Sequence, residues 1–154
     1  MTFFDLLNTA TNGLEAQRQR MEIVSQNIAN ASTVGYKRMI PVFSQRSSDP
    51  FSIIMARQLG IKEENLLSFV KGHEISKGVQ VSEILIDETP GPKVYMPAHP
   101  QADKDGYVEM SNVNSLIEML EMLYATRNYK ANLSIVEMTK AAARETLNIG
   151  KPGG

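Results

Sequence analysis

Over the first thirty residues, Phe3, Leu7, Ala10, Leu14, Gln17, Met21, Val24 and Ile28 recur at alternating steps of four and three. That spacing predicts one long helix with a heptad seam from Thr2 to about Asn30, Gln17 being its single strongly polar member. Thr2 with Asp5 three residues on suits a capping box, in which the hydroxyl and the carboxylate satisfy the free amides of the first turn. The seam is narrow, and Ala10, Gly13 and Ala16 add little bulk beside it. A mid-helix glycine costs about 1 kcal/mol relative to alanine, so Gly13 suggests a place where another backbone comes close.

The other end of the chain carries a second such pattern. From Ser115 to Ile149 no proline or glycine interrupts, and Ile117, Leu120, Tyr124, Ala131, Ile135, Met138, Ala142 and Ile149 follow helical spacing, with Asn128 on the same stripe. Ser115 and Glu118 offer another capping box, and Gly150 and Pro152 provide a stop. At 1.5 Å per residue this helix would be a rod of roughly 50 Å. The two helices could pair parallel or antiparallel within one molecule, or offer their seams to other molecules.

Between them the pattern changes. "SSDPFSIIMARQLG" and "IKEENLLSFVKG" read as short helices closed by Gly60 and Gly72. "GVQVSEILI", Gly78 to Ile86, alternates and is rich in β-branched residues, which predicts a strand. Lys93 to Met96, between prolines, and Gly106 to Met110 are two shorter strand candidates. The expected fold class is therefore α+β. Long N- and C-terminal helices form a coiled-coil-like axial domain, residues 1–36 with a joint and residues 111–154. A small β-rich central module spans 37–110.

Composition narrows the function. At 154 residues the chain is sized for about one domain, and 42% hydrophobic with 6% aromatic and no Trp leaves the packing to aliphatic side chains. A formal net charge of -1 with scattered Lys and Arg gives no basic field for nucleic acid. The absence of cysteine removes disulfides, thiolate catalysis and sulfur-ligated metals. No stretch approaches the apolar length of a membrane span. The start, "MTFFDLLNTATNG", carries Asp5 and no basic residue, unlike a cleavable secretory signal.

Candidate chemistry is thin. Asp103, Asp105 and Gly106 resemble part of a calcium loop, but Gln101 and Asn112 stand where that loop needs carboxylates, and a turn is the simpler reading. His73 and His99 have no ligand-spaced partners, and His99 between Ala98 and Pro100 reads as a turn residue. No phosphate loop or nucleophile elbow is present. The expectation is a protein that is not an enzyme, with no cofactor, no metal and no small-molecule substrate.

The most informative stretch is "SQNIANASTVGYKR", Ser25 to Arg38, where the first helix pattern breaks off. It resembles the signature segment of bacterial flagellar rod and hook proteins: a helix ending in Asn-Ile-Ala-Asn, then Thr, Gly, Tyr and a base. "FFDLLNTATNGLEAQRQRMEIVSQNIANA", "AHPQADKDGYVEMSNVNSLIEMLEMLYATRNYKANL" and a final "TLNIG" narrow the resemblance to the proximal rod, over about half of the chain. Ser47 to about Lys77 is longer and more helix-like than that pattern.

This resemblance implies a structural subunit of the flagellar basal-body rod. It would be exported by the flagellar type III apparatus without a cleaved signal and polymerised in the periplasm, its terminal helices lining a hollow tube. Its partners would be that apparatus, other rod proteins and copies of itself. The expected subunit contacts are Leu7, Leu14, Met21, Val24 and Ile28 in the first helix, and Ile117, Leu120, Tyr124, Ala131, Ile135 and Met138 in the second. The break itself becomes a joint. There Asn27 and Asn30 bond backbone groups, Gly35 takes a positive φ, and Tyr36 buries its ring with the hydroxyl paired. A second reading is a cytosolic helical-hairpin adaptor or chaperone-like binding module, which needs the same seams but neither export nor a polymer.

Overall fold

The computed structural model describes residues 3–46, 58 and 78–149. The two short helices expected between Ser47 and Gly72, His73, and the Thr2 cap all lie outside the described residues apart from Gln58, which is helical. Helix α1 spans Phe3–Ala29, strand β1 Met39–Gln45, β2 Val79–Ile86, β3 Lys93–Tyr95, β4 Tyr107–Glu109, and helix α2 Ser115–Ile149. The class is α+β, as the periodicity implied.

The helices pair antiparallel. Asn27 meets Glu118, Met21 meets Thr126, and Gly13 meets Asn132, so rising numbers on α1 oppose falling numbers on α2. Gly13 does mark a close approach, but what approaches is the Asn132 carboxamide and not a backbone. A Cβ built on Gly13 would lie 2.8 Å from Asn132 Nδ2. The line of contact is also shifted from the expected seam. On α1 the buried residues are Ala10, Gly13, Ala16, Ile23, Val24 and Asn27. Of the expected members, Leu7, Leu14, Gln17, Met21 and Ile28 lie only half-buried on its flank. On α2 the buried residues are Glu118, Ala125 and Thr139. Small and polar side chains let the backbones approach, and the bulky ones are turned aside.

The start of α2 corrects the sequence reading as well. Asn114, not Ser115, caps the helix: its Oδ1 accepts the N–H groups of Leu116 and Ile117 at 3.0 and 3.3 Å. Asparagine is among the best N-cap residues, and moving the cap back by one residue takes Glu118 out of the box position. Its carboxylate is then available for a contact elsewhere.

The three strands read from the sequence are present, and with β1 they pair as two separate two-stranded sheets. β2 pairs antiparallel with β1, from Met39↔Ile86 to Gln45↔Val79, with a bulge between Val42 and Phe43. β3 pairs with β4, with Tyr95 and Tyr107 directly opposite and their rings 5.3 Å apart, edge to face. Strand β1 was not legible in the sequence because Pro41 stands inside it, and an internal proline argues against a strand. The β1–β2 sheet packs on α1 alongside α2, with Gly13, Asn132 and Phe43 lining one shared groove. There Arg20 lies over the Phe43 ring at 5.7 Å, and Arg46 donates to Asn12 Oδ1 at 2.9 Å.

The turn between β3 and β4 forms as a turn. Asp103 Oδ1 accepts the N–H groups of Asp105 and Tyr107, and Gly106 has φ +80°. The amide of Tyr107, ahead of that of Asp105, holds the Asp103 carboxyl below its usual range. His99 Nδ1 accepts the Gln101 N–H at 3.2 Å, again a turn contact.

Gly91 is the tightest glycine among the described residues. A Cβ there would lie 1.9 Å from the Met110 carbonyl oxygen, with further backbone behind it. Gly91→Ala is expected to destabilise the fold by about 3 kcal/mol through forced backbone displacement. Gly13→Ala should stay within about 1 kcal/mol of the parent, because helix propensity improves and Asn132 can rotate away. Chemical denaturation of the two variants checks this, and equal midpoints would refute it.

Candidate assembly interface

Where α1 ends, the chain must reverse direction while three elements meet, and one side chain meets all three. Asn27 is fully buried. Its Nδ2 donates to the Met39 carbonyl at 2.8 Å and to Glu118 Oε2 at 3.0 Å. Its Oδ1 accepts the Met39 N–H at 2.9 Å and the Tyr36 hydroxyl at 3.1 Å. Both donors and both lone pairs of the carboxamide are used, which is the full capacity of the group. Toward Met39 it behaves like a peptide group of a neighbouring strand, so it finishes the outer edge of β1.

Around Asn27 the rest of the segment closes the turn. Asn30 Nδ2 donates back to the Gln26 carbonyl at 2.9 Å, and Thr33 Oγ1 donates to Asn30 Oδ1 at 3.2 Å. Gly35 has φ +70° with open space where a Cβ would sit, so conformation alone requires glycine there. Its N–H donates to the Glu109 carbonyl at 2.9 Å, which ties the segment to β4. The Tyr36 phenol is pushed above its ordinary pKa, chiefly by burial and then by the negative charge of Glu118.

Charged side chains lock the same place from outside. Glu118 is 1% exposed, and its Oε1 lies 2.6 Å from Arg38 Nε. Lys37 Nζ donates to Glu109 Oε1 at 2.7 Å, and this is the main reason the Glu109 carboxyl sits below its usual range. The Arg38 N–H donates to Asn112 Oδ1 at 2.7 Å, while Asn112 Nδ2 reaches the carbonyls of Asp87 and Thr89. Two turns along α1, Arg20 pairs with Glu121 of α2. Sequence reasoning singled out Asn27, Asn30, Gly35 and Tyr36 but missed Glu118, Arg38 and Asn112. No local pattern joins those residues, because they come from separate segments.

The outward face of α2 is the opposite in character. Ile117, Leu120, Tyr124, Ile135 and Met138 are 41% to 71% exposed, and Ala131 is also exposed. Leu116, Met119 and Leu123 extend the exposed apolar surface around the first turns. On α1, Val24 is buried within the subunit, while Leu7, Leu14, Met21 and Ile28 are half-exposed. The first turns of α2 are thus inverted: their two carboxylates, Glu118 and Glu121, face α1 and their aliphatic side chains face solvent. Among the described residues no carboxylate, histidine or cysteine cluster could hold a metal, and no helix is long and apolar enough to cross a membrane.

Both halves of this arrangement fall in segments with known relatives. A family model described as Flagella basal body rod protein matches residues 7–37, and one described as Flagellar basal body rod FlgEFG protein C-terminal matches residues 104–149. Along its whole length the chain is similar to the flagellar basal-body rod protein FlgC of several bacteria. It is 35% identical to that of Borreliella burgdorferi over 97% of this chain and 98% of the relative. With that of Bacillus subtilis it shares 35% over 98% and 100%, and with that of Escherichia coli O157:H7 28% over 98% and 100%.

Asn27→Ala is expected to cost about 3 kcal/mol, since it strands a buried carboxylate oxygen and the Met39 peptide. Asn27→Asp, nearly identical in shape, should cost more than Asn27→Ala. It replaces two donors by an acceptor aimed at the Met39 carbonyl and at Glu118. Urea denaturation of the three proteins tests the order, and an Asp variant more stable than the Ala variant would overturn it.

Proposed function

The chain belongs to the FlgC family of flagellar basal-body rod proteins, and on that premise we propose that it builds the rod wall through its paired terminal helices. It is a structural subunit of the bacterial flagellar basal body that assembles with other rod components, in a structural and not an enzymatic family. The proposal adds how the assembly is made. Residues 1–36 and 111–154 act as the axial part and residues 37–110 as the central module. The outward stripe of Ile117, Leu120, Tyr124, Ala131, Ile135 and Met138, flanked by Leu7, Leu14, Met21 and Ile28, meets neighbouring subunits.

The observation that supports this reading is the inverted polarity of the first turns of α2. Leu116, Ile117, Met119, Leu120, Leu123 and Tyr124 are each 46% to 69% exposed, and at about 100° per residue they form one broad apolar face opposite Glu118 and Ala125. Nothing among the described residues covers this face, so a neighbour must. Contacts between unlike surfaces that do not close on themselves generate a filament, which is the geometry of a rod. Within the subunit the helices hold each other by polar and small residues, and this leaves the apolar stripe for neighbours. The joint at Asn27–Tyr36 sets the angle at which the helices leave the central module. Copies of the chain itself are among these neighbours, and the rod they form lies in the periplasm.

Leu120→Asp tests the interface directly. Because Leu120 is half-exposed in the subunit, the variant should fold, be made and be secreted normally. In the assembled rod the carboxylate would enter a desolvated contact without a partner, at a cost of about 3 kcal/mol or more per subunit. Rod assembly and swimming should be lost, while Lys140→Asp, at an exposed position off the stripe, should swim. Normal motility of the Leu120→Asp strain would overturn the interface.

The proposed route to the periplasm is the flagellar type III apparatus, with the N-terminal segment as an uncleaved signal. Residues 1–40 fused to a loosely folded reporter should be secreted by cells with an intact export apparatus and retained by cells lacking it. Retention in both strains would count against that route.

A further inference from the structure

Strand β2 leaves one edge of its sheet open at an apolar end. The Asp87 N–H donates to the Arg38 carbonyl at 2.9 Å, which fixes the phase of the antiparallel ladder. The pairs Met39↔Ile86 and Pro41↔Ile84 are therefore those whose peptide groups point away from the partner strand. On β1 neither residue offers a free N–H: Met39 donates its N–H to Asn27 Oδ1 and accepts Asn27 Nδ2 on its carbonyl, and Pro41 has none. On β2 the outward N–H and carbonyl groups of Ile84 and Ile86 have no partner among the described residues. The side chains of Ile84, Leu85 and Ile86 are 49%, 46% and 58% exposed.

A bare, apolar strand edge is a template for strand addition, in which main-chain bonds supply affinity and flanking side chains supply selectivity. We propose that this edge receives an extended segment of another protein, apolar at its centre and carrying Lys or Arg at its ends. The charge requirement comes from Glu83 and Glu88, which bracket the apolar triplet, are exposed, and form no ion pair among the described residues. The same charges disfavour a second copy of this chain. Two β2 strands paired with all three apolar residues in register would set Glu83 of each against Asp87 of the other, and like charges directly opposite are destabilising. This surface is separate from the α2 stripe and independent of the polymer contact proposed for it.

The test uses the full-length protein and a synthetic peptide of alternating Val and Thr with two Lys at each end. Amide exchange should slow at Ile84 and Ile86 when the peptide is added, with no change along α2. A peptide with Glu in place of Lys should bind at least about tenfold more weakly. Ile86→Pro removes one outward N–H without touching a ladder bond, so the β1–β2 amides should stay protected while peptide binding is lost. Glu83→Lys with Glu88→Lys, which alters no backbone group, should reverse the preference between the two peptides. Leu120→Asp should leave binding unchanged. The proposal is overturned by unchanged exchange at Ile84 and Ile86, by equal binding of the two peptides, by loss of binding in Leu120→Asp, or by sedimentation showing self-association through β2.

Discussion

The carboxamide of Asn27 is the constraint on which the arrangement depends. A helix end is a place of unmet backbone groups, and here it must also carry a chain reversal, a strand edge and the first turn of a second helix. One neutral group with two donors and two acceptors meets four separate partners, from Tyr36, Met39 and Glu118. A hydrocarbon would leave those partners unpaired, and a carboxylate would repel two of them. In a low-dielectric setting such a network is worth most when every member is paired, and here Asn27 has no unused capacity.

Glu118 follows from the same logic. A buried carboxylate adds to stability only where its charge and its lone pairs are met, and Arg38 and Asn27 meet them from two different segments. With Glu118 and Glu121 both turned toward α1, the aliphatic residues between them have only solvent to face. Polar specificity inside the subunit and apolar surface outside it are therefore one design. The inner contacts fix how the helices pair, and the outer face supplies the area that the proposed assembly would bury. The seam within the subunit is not optimised for stability alone. Gln17 Oε1 is buried there without a hydrogen-bond partner, and small residues replace the bulk that a self-sufficient helix pair would use.

The two sheets are tied to this joint differently. β1 continues directly from the segment after Tyr36, and its edge is completed by Asn27. β3 and β4 are held through Glu109, which takes the Gly35 amide on its carbonyl and the Lys37 ammonium on its carboxylate. Displacing the joint would therefore shift both sheets relative to the helices. That gives a physical reason for the composition of the stretch from Ser25 to Arg38, with its amides, its glycine and its tyrosine followed by two bases.

By itself the sequence determined the two long helices, three of the four described strands, and the importance of the Asn-Ile-Ala-Asn to Tyr-Lys-Arg segment. These are set by local spacing, capping and turn chemistry, which act over a few residues. Residues widely separated in the chain were decided only in the tertiary structure. The pairing direction of the helices and the face of α2 that turns inward depend on how Glu118 and Asn132 meet Asn27 and Gly13. Periodicity marks an apolar stripe but does not say whether its own chain or a neighbour will cover it, and on α2 the line turned toward α1 is instead Glu118, Ala125 and Thr139. Strand β1 was hidden for a related reason. Proline is excluded from a strand only where its missing N–H is needed, and the pairing with β2 places Pro41 where that N–H would have pointed outward.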